Sequence, residues 1–468
     1  MSTYLVKLIR FLTTLTTAVF WLAGCNPLAD SSYRNVVLIS VDTLRADHVG
    51  CYGYQPPTTP AVDRLAAEGV VFEQAYASSP WTLPSHASIF TGLYPRGHGA
   101  DLVNKSLPLG AVTLAEVLKD SGYRTGGVVC APFLDTMYNF QQGFDVYDTE
   151  LIDGLDDPNA STAGEVTRRG LQYLRSLKKG PFFLFLHYWD PHHPYNPAKK
   201  YVDLFDPDYS GTVDGFNIRE RTDMVPGMDP RDLRHIVALY DGEIRATDEA
   251  IGAFLAELDQ MGLRENTLVV LTSDHGEEFL EHGGRAHLVQ CWQETIHVPL
   301  IMRIPWLKSK ASRFAPPVSL VDLPNTILEL VAAKKSLPEN NGISLASAIV
   351  KGEALPDRRL LAETRMGQPQ GREQTRGNWT VSIAADQLKY HHFVNPTEKF
   401  TALYDLRRDP REQDDLSAAQ TQATERMERE IAQTNVRLND LRRRLKTENQ
   451  VKMNDQLSKR LRSLGYVN

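Results

Sequence analysis

Asp42, Thr82, Asp274 and His275 are the side chains of this sequence whose types combine most readily into chemistry. Two carboxylates, one hydroxyl and one imidazole form a mixed nitrogen and oxygen set. Calcium wants six to eight oxygen ligands, so this set suits one divalent ion of the zinc or manganese kind better than calcium. A dication beside Thr82 would lower the pKa of its hydroxyl, as it does for bound water, and yield a nucleophile near neutral pH.

The elements that must position these groups are legible around them. Three short apolar runs end abruptly in metal-loving or acid/base residues: Val36 to Ile39 before Asp42, Phe182 to Leu186 before His187, Asp190 and His192, and Leu268 to Leu271 before Asp274-His275. Continuous apolar runs of this length read as strands buried on both faces of a parallel sheet, whose ligands bind beyond the carboxyl ends. Thr82 lies in the turn Pro80 to His86, with Pro84 in the first turn of the next segment and Gly92 past its end. The expectation is a helix with Thr82 as N-cap, its hydroxyl beside free backbone N–H groups that favour an anion.

An α/β alternation runs from Asn35 to about Val350. Expected helices cover Pro60 to Glu68, Thr113 to Ser121 and Arg234 to Gly262, the last with Ile236, Leu239, Tyr240, Ile244, Ile251, Phe254, Leu255 and Leu258 on one stripe. A strand is expected at Gly127 to Cys130, and a long irregular excursion from Asp203 to Asp232. Beyond Leu355 the pattern shortens to strands at Arg359 to Glu363, Trp379 to Ala384, Lys389 to Phe393 and Ala402 to Asp405. From Ser417 to Leu464 the chain is charged and helix-favouring, with Met427, Ile431, Leu438, Leu441 and Leu445 at helical spacings; this segment packs back on the body or self-associates.

The first 24 residues read as a signal peptide. Lys7 and Arg10 form its basic start, Phe11 to Leu22 its apolar stretch, and Leu22-Ala23-Gly24-Cys25 resembles a bacterial lipobox in which Cys25 is lipidated. Residues 25–34 would then be a lipidated tether, and the protein would face the periplasm or exterior of a bacterial cell envelope, held to the membrane by its lipid. An ordinary cleaved signal or a short anchor is the alternative, although the apolar stretch is short for a membrane span. Of the 4 cysteines, Cys51, Cys130 and Cys291 then remain, giving at most one disulfide, with Cys51 and Cys130 in apolar contexts that suit buried thiols. The net charge of −7 offers no basic field for nucleic acid, and 468 residues supply ample burial for a core.

In the same order along the chain, these segments resemble the sulfatase family of the alkaline phosphatase superfamily. The resemblance runs from Asn35 to about Leu416 through V-D-T-L-R-A-D-H-V-G-C-Y-G, T-T-P-A-V-D-R-L-A-A-E-G, T-L-P-S-H-A-S-I-F-T-G-L-Y-P, H-Y-W-D-P-H-H-P-Y, T-S-D-H-G-E, H-V-P-L-I-M-R and L-Y-D-L-R-R-D-P. It implies an alkaline-phosphatase-like α/β fold: a mostly parallel sheet sandwiched by helices, a small C-terminal antiparallel sheet and a long terminal helix. The implied divisions are a catalytic domain at 35–350, a small C-terminal subdomain at 351–416 and a helical segment at 417–468. His192 matches the family's substrate-contacting His and His287 falls where relatives place another His or Lys, making them the acid and anion-clamp candidates. His86, His193 and Arg45 are candidate substrate contacts, Arg45 also a support for the Asp42 loop. Asp190 and His282 have no assigned role, and the resemblance to two-zinc members leaves a second metal open.

Two departures shape the functional expectation. Family sulfatases carry Cys or Ser at position 82, oxidised to formylglycine, with Arg four residues on; here Thr82 and His86 stand instead, and Thr43 replaces the second acid of the usual Asp-Asp pair. A secondary alcohol would give a ketone rather than an aldehyde, so Thr82 would act directly as the metal-bound nucleophile. The expected function is metal-dependent hydrolysis or transfer of phosphate, phosphonate or sulfate esters, phospho-esters preferred, on a small molecule, glycan or lipid. The alternatives are a catalytically silent anion-binding lipoprotein and a true sulfuric ester hydrolase.

Overall fold

The computed structural model describes residues 34–156, 161–178, 180–307, 312–367, 377–445, 450–452 and 455–463. The signal peptide, Cys25 and the tether up to residue 33 lie outside the described residues.

The three apolar runs become the middle of one sheet. Its strands are β1 (Asn35–Val41), β2 (Val70–Phe72), β3 (Arg124–Val128), β4 (Val146–Asp148), β5 (Phe182–Tyr188), β6 (Thr267–Ser273), β7 (Leu300–Arg303) and β8 (Ser312–Phe314), in the order β8-β2-β7-β6-β1-β5-β3-β4. All neighbours are parallel except those of β7, which runs against both β6 and β2. Every residue of β1, β5 and β6 is buried, as their unbroken apolar pattern requires. Register completes the arrangement: Ser40 stands opposite both His187 and Thr272, so the chain leaves the three strands at one edge with Asp42, Trp189 and Asp274 side by side. β3 begins three residues before the expected strand, because Arg124 to Val128 is the stretch that pairs with Phe182 to Leu186.

Helices cover both faces: α1 (Pro60–Ala66), α2 (Thr82–Thr91), α3 (Leu114–Asp120), α4 (Ala163–Ser176) and α5 (Pro230–Gln260) are the main ones. Alternate side chains of β5 show the sandwich, since successive strand residues point to opposite faces. Leu186 presses on Gly170 of α4, where an added Cβ would lie 2.7 Å from Leu186 Cδ2. Phe185 faces the other way, its ring 5.0 Å from that of Phe90 on α2. α3 carries a capping box between Thr113 and Glu116. α5 starts four residues before Arg234 because Asp229 caps it, its side chain accepting from Arg231 N, with Pro230 at the first helical position. All eight expected stripe residues of α5 are buried. The supposed excursion is therefore shorter, bounded by a helix at Lys199–Phe205 and by α5.

The C-terminal strands form a separate antiparallel sheet, β9 (Leu360–Gly367), β10 (Gly377–Ile383), β11 (Leu388–Val394) and β12 (Lys399–Asp405), paired in chain order. A buried charge cluster joins it to the body: Lys389 Nζ donates to Glu412 at 2.9 Å, His391 Nε2 lies 2.6 Å from Glu412, and Gln293 N donates to the same carboxylate at 2.7 Å. Helix α6 (Thr421–Arg444) lies against β10, β11 and the turn at Pro95–His98, burying Met427, Ile431, Leu438 and Leu441. The apolar stripe is thus covered by the chain's own body. Cys51, Cys130 and Cys291 are free thiols. No described helix is long and apolar enough to cross a membrane.

Candidate active site

Asp42 is the first residue past β1, its N–H donating to Tyr188 O at 2.9 Å. Thr43 then takes a positive φ of 56°, a strained conformation for a β-branched residue. Tyr240 holds it, donating its hydroxyl to Thr43 O at 2.7 Å while accepting from Arg45 N at 3.1 Å. Across the sheet edge, Ser273 Oγ donates to His275 O and Ser85 Oγ donates to Asp274 O, both at 2.6 Å, which fixes the turn after β6 against α2.

Thr82 is the first residue of α2 rather than its cap. Trp81, extended at φ −163° and ψ 160°, is the cap, and Ser85 N donates to Trp81 O at 3.3 Å, so the helix begins one residue earlier than the sequence suggests. The consequence for chemistry is favourable: the Thr82 hydroxyl is not spent on the helix backbone, yet it sits beside the Thr82 and Leu83 N–H groups, which precede the first intrahelical bond. Its Oγ1 lies 3.4 Å from His275 Nε2.

The ligand atoms of Asp42, Asp274 and His275 lie within 4.8 Å of one another. His275 Nε2 is 3.5 Å from Asp42 Oδ1 and 3.4 Å from Asp274 Oδ2. Such spacings are long for hydrogen bonds, but ligands held at 2.0–2.1 Å around a tetrahedral ion stand about 3.3 Å apart. Both Asp42 oxygens and Asp274 Oδ2 are buried without a hydrogen-bond partner among the described residues. Burial drives both carboxyl pKa values well up, with Glu277 adding to the effect on Asp42 and Asp42 to that on Asp274. Two uncompensated acids in one dry pocket fit a dication. His275 is prepared as a ligand: burial lowers its pKa to about 3, and Nδ1–H donates to Gly276 O at 2.9 Å, leaving the Nε2 lone pair for the ion.

A second layer of histidines adjoins this pocket. The His287 ring is 4.5 Å from His275 and 4.9 Å from His192, and His193 is 6.0 Å from His287. His192 stacks on Trp189 at 3.8 Å and donates Nδ1–H to His193 O at 2.6 Å. His287 directs Nδ1 to Glu277 Oε1 at 2.9 Å, and Tyr195 donates to Glu277 Oε2 at 2.7 Å, so both histidines turn Nε2 away from their anchors. Burial lowers the pKa of each; neighbouring rings contribute for both, His193 and His287 at His192, and His275 at His287. His193 falls to about 4.

The structure thus brings Asp42, Thr82, Asp274, His275, His192, His193 and His287 together. His86 lies beneath Thr82, with Nδ1 3.0 Å from Thr82 O and Nε2 3.0 Å from Ser40 Oγ. Arg45 supports loops, bonded to Asp47, Glu281 and the Glu277 carbonyl, and lines a cleft of about 930 Å³ that does not include Thr82. Asp190 is elsewhere, accepting from Thr162 N and Ala163 N at the start of α4, and His282 pairs with Glu294 at 2.7 Å. Sequence reasoning gave His187 no role of its own and missed three participants. Glu277 was visible at the end of the Asp274 motif. Tyr195 was not distinguishable from a core aromatic. Arg219 reaches in from the loop before α5, donating to His287 O at 2.6 Å, and its charge acts on His193, His275, His287 and Glu277; nothing in that Asp- and Pro-rich stretch marked it.

Comparisons with known proteins give the family and the fold. Residues 34–333 match the Sulfatase family model. The chain is 28% identical over 414 residues to the ulvan-active sulfatase of Formosa agariphila, covering 82% of this chain and 76% of that one. It is 28% identical over 354 residues to an uncharacterized sulfatase of Escherichia coli, covering 66% and 70% of the two chains. Among solved structures, the phosphonate monoester hydrolase of Agrobacterium radiobacter superposes with TM-score 0.70 at 21% identity, covering 87% of this chain and 96% of the other. A protein solved with its substrate D-glucosamine-2-N,6-O-disulfate gives TM-score 0.72 at 19% identity, over 87% and 98%. These structural likenesses speak for the fold, and with the family match over more than half of its length the chain belongs to the sulfatase family.

Proposed function

We propose that this protein is a metal-dependent hydrolase or transferase of phospho-esters, phosphate or phosphonate, with Thr82 as the nucleophile. The observation that carries the reading is the Thr82 hydroxyl at the first position of α2, 3.4 Å from His275 Nε2 and beside the Asp42 carboxylate, in a pocket where both Asp42 oxygens and Asp274 Oδ2 are buried with no ordinary hydrogen bond among the described residues. A divalent ion held by Asp42, Asp274 and His275 would lower the hydroxyl's pKa and offset negative charge on the substrate.

The chain's own groups account for the rest. Thr82 Oγ1 bonds to phosphorus, the bond from phosphorus to the departing oxygen breaks, and the hydroxyl proton passes by way of a histidine Nε2 to the departing oxygen. The N-terminal amides of α2 and the Arg219 guanidinium meet the charge on the equatorial oxygens. His287, steered by Glu277 and Tyr195, and His192, steered by the His193 carbonyl, present Nε2 to move the proton that the departing oxygen takes up. Water or a second alcohol then takes the phosphoryl group from Thr82. Burial of the whole constellation keeps bulk water from competing. A lipid on Cys25 would hold this domain at the envelope surface, within reach of glycan and lipid esters.

Sulfate-ester hydrolysis is the second reading, favoured by the ulvan-active relative. Purified protein assayed with zinc, manganese and calcium on a phosphomonoester, a phosphodiester, a phosphonate monoester and an aryl sulfate separates the two. The proposal expects phospho substrates to lead and intact Thr82 in the resting protein by mass spectrometry. A sulfate preference of tenfold or more would overturn the substrate class, and no turnover under any condition would favour a silent binding protein.

A further inference from the structure

His187, the last residue but one of β5, stands opposite Ser40, fully buried, and neither of its ring nitrogens has a hydrogen-bond partner among the described residues. An imidazole rarely occupies such a place for packing alone, because its desolvated nitrogens forfeit hydrogen bonds to water. Its surroundings supply a reason. His86, His187 and Asp274 offer ligand atoms within 4.8 Å of one another, a second group beside the Asp42, Asp274 and His275 group and sharing Asp274 with it. Asp274 Oδ2, itself without a hydrogen-bond partner among the described residues, stands 3.4 Å from His86 Nδ1 and 3.4 Å from His275 Nε2, between the two groups. The two oxygens of Asp42 divide likewise: Oδ1 is 3.5 Å from His275 Nε2 and Oδ2 is 3.4 Å from His187 Nε2. A carboxylate that turns one oxygen to each group has the disposition of a bridge between two ions.

We propose that the site holds two divalent ions, the second ligated by His86, His187 and Asp274, with Asp274 and Asp42 spanning the pair. The proposal rests on the reading that Asp42, Asp274 and His275 hold the first ion. Two imidazoles and a carboxylate form a nitrogen-rich set of the kind zinc takes. With the ion bound, His86 Nε2–H donates to Ser40 Oγ, now 3.0 Å away, and Nδ1 exchanges its contact with Thr82 O for the ion. An arginine at position 86 would fill this place with a fixed positive charge; His86 opens it to a metal.

Zinc is the probe. The full chain is freed of metal with a chelator, dialysed against buffered zinc and analysed for bound metal, and crystals of the wild type are examined by anomalous diffraction at the zinc edge. The expected results are two zinc ions per chain, two anomalous peaks about 3.5–4 Å apart, one ion retained by His187→Gln, one by His275→Ala and none by Asp274→Ala. A single peak in the wild type overturns the second site while leaving metal dependence standing. One ion in the wild type and none in His187→Gln shows that the single ion uses His187, and likewise overturns the two-ion site. Two ions retained by His187→Gln overturns its role as ligand. No zinc in the wild type overturns the metal reading itself. The wild-type diffraction decides the matter even if a variant fails to fold.

Discussion

Thr82→Val tests the nucleophile with little disturbance to shape. Valine matches threonine's outline, and position 82 is fully buried, so the fold and the packing around α2 should survive. What disappears is Oγ1, the atom 3.4 Å from His275 Nε2. Asp42, Asp274 and His275 remain, so bound metal should remain. Without a nucleophile, kcat on the best phospho substrate should fall by at least about 10⁴-fold, about 5.5 kcal/mol of barrier at 1.36 kcal/mol per decade. Thr82→Ser removes one buried methyl and keeps the hydroxyl: about 1 kcal/mol of stability is lost, while kcat should stay within about tenfold. The assay is kcat and kcat/KM for both variants with metal content measured on the same samples, together with mass spectrometry of quenched turnover for a phosphoryl group on Thr82. The reasoning fails if metal-loaded Thr82→Val keeps more than about 1% of wild-type kcat, a level far above what binding and electrostatics alone would leave.

Asp42→Asn should sharply weaken metal binding and lower kcat by orders of magnitude with the fold intact by circular dichroism; full zinc content and activity would contradict the ligand set. Glu277→Gln should cut kcat more than it raises KM and alter the pH profile, because His287 loses its carboxylate anchor; an unchanged profile would remove Glu277 from the mechanism. Although burial alone would raise it, the Glu412 pKa is held near 2 by Lys389 and His391, below the ordinary 4.5. Its stabilisation is therefore complete above pH 4.5 and lost as pH falls toward 2, and Glu412→Ala should cost about 3–5 kcal/mol at pH 7, a gap that narrows in denaturant titrations at pH 3. Cys25→Ser should abolish lipid labelling and release the protein from the membrane fraction; equal membrane association would refute the lipobox reading.

The strands were legible where burial left a one-letter signature. β1, β5 and β6 are buried on both faces, so their apolar runs had no other reading, and the short C-terminal strands were framed by turn residues on every side. The start of α2 was misjudged because a threonine ahead of a proline normally caps, and only the three-dimensional path of Trp81 showed the helix starting one residue sooner. Asp42, Asp274 and His275 sit at strand ends, where sequence order and site geometry coincide. Arg219 and Tyr195 act through pairings that bring distant segments together, which no local pattern records. His187 shows the opposite failure: it was seen, but a single histidine after a strand carries no meaning until His86 and Asp274 are found beside it.

The central place of β1 has a consequence for the order in which the molecule can be made. Asn35, at its start, accepts from Phe182 N and donates to Thr267 Oγ1, partners 147 and 232 residues further on. At a synthesis rate of about 5–20 residues per second, β1 is complete roughly 10–50 s before β6 exists. Through that interval its edge toward β6 has no partner, and strand pairing over such separations is slow even once both partners are present. A nascent chain therefore has nothing to offer a metal ion until its second half has been added, and cofactor loading becomes a late event that follows closure of the sheet. Yield should respond more to conditions that protect the incomplete chain, such as lower growth temperature, than to metal supplied during synthesis.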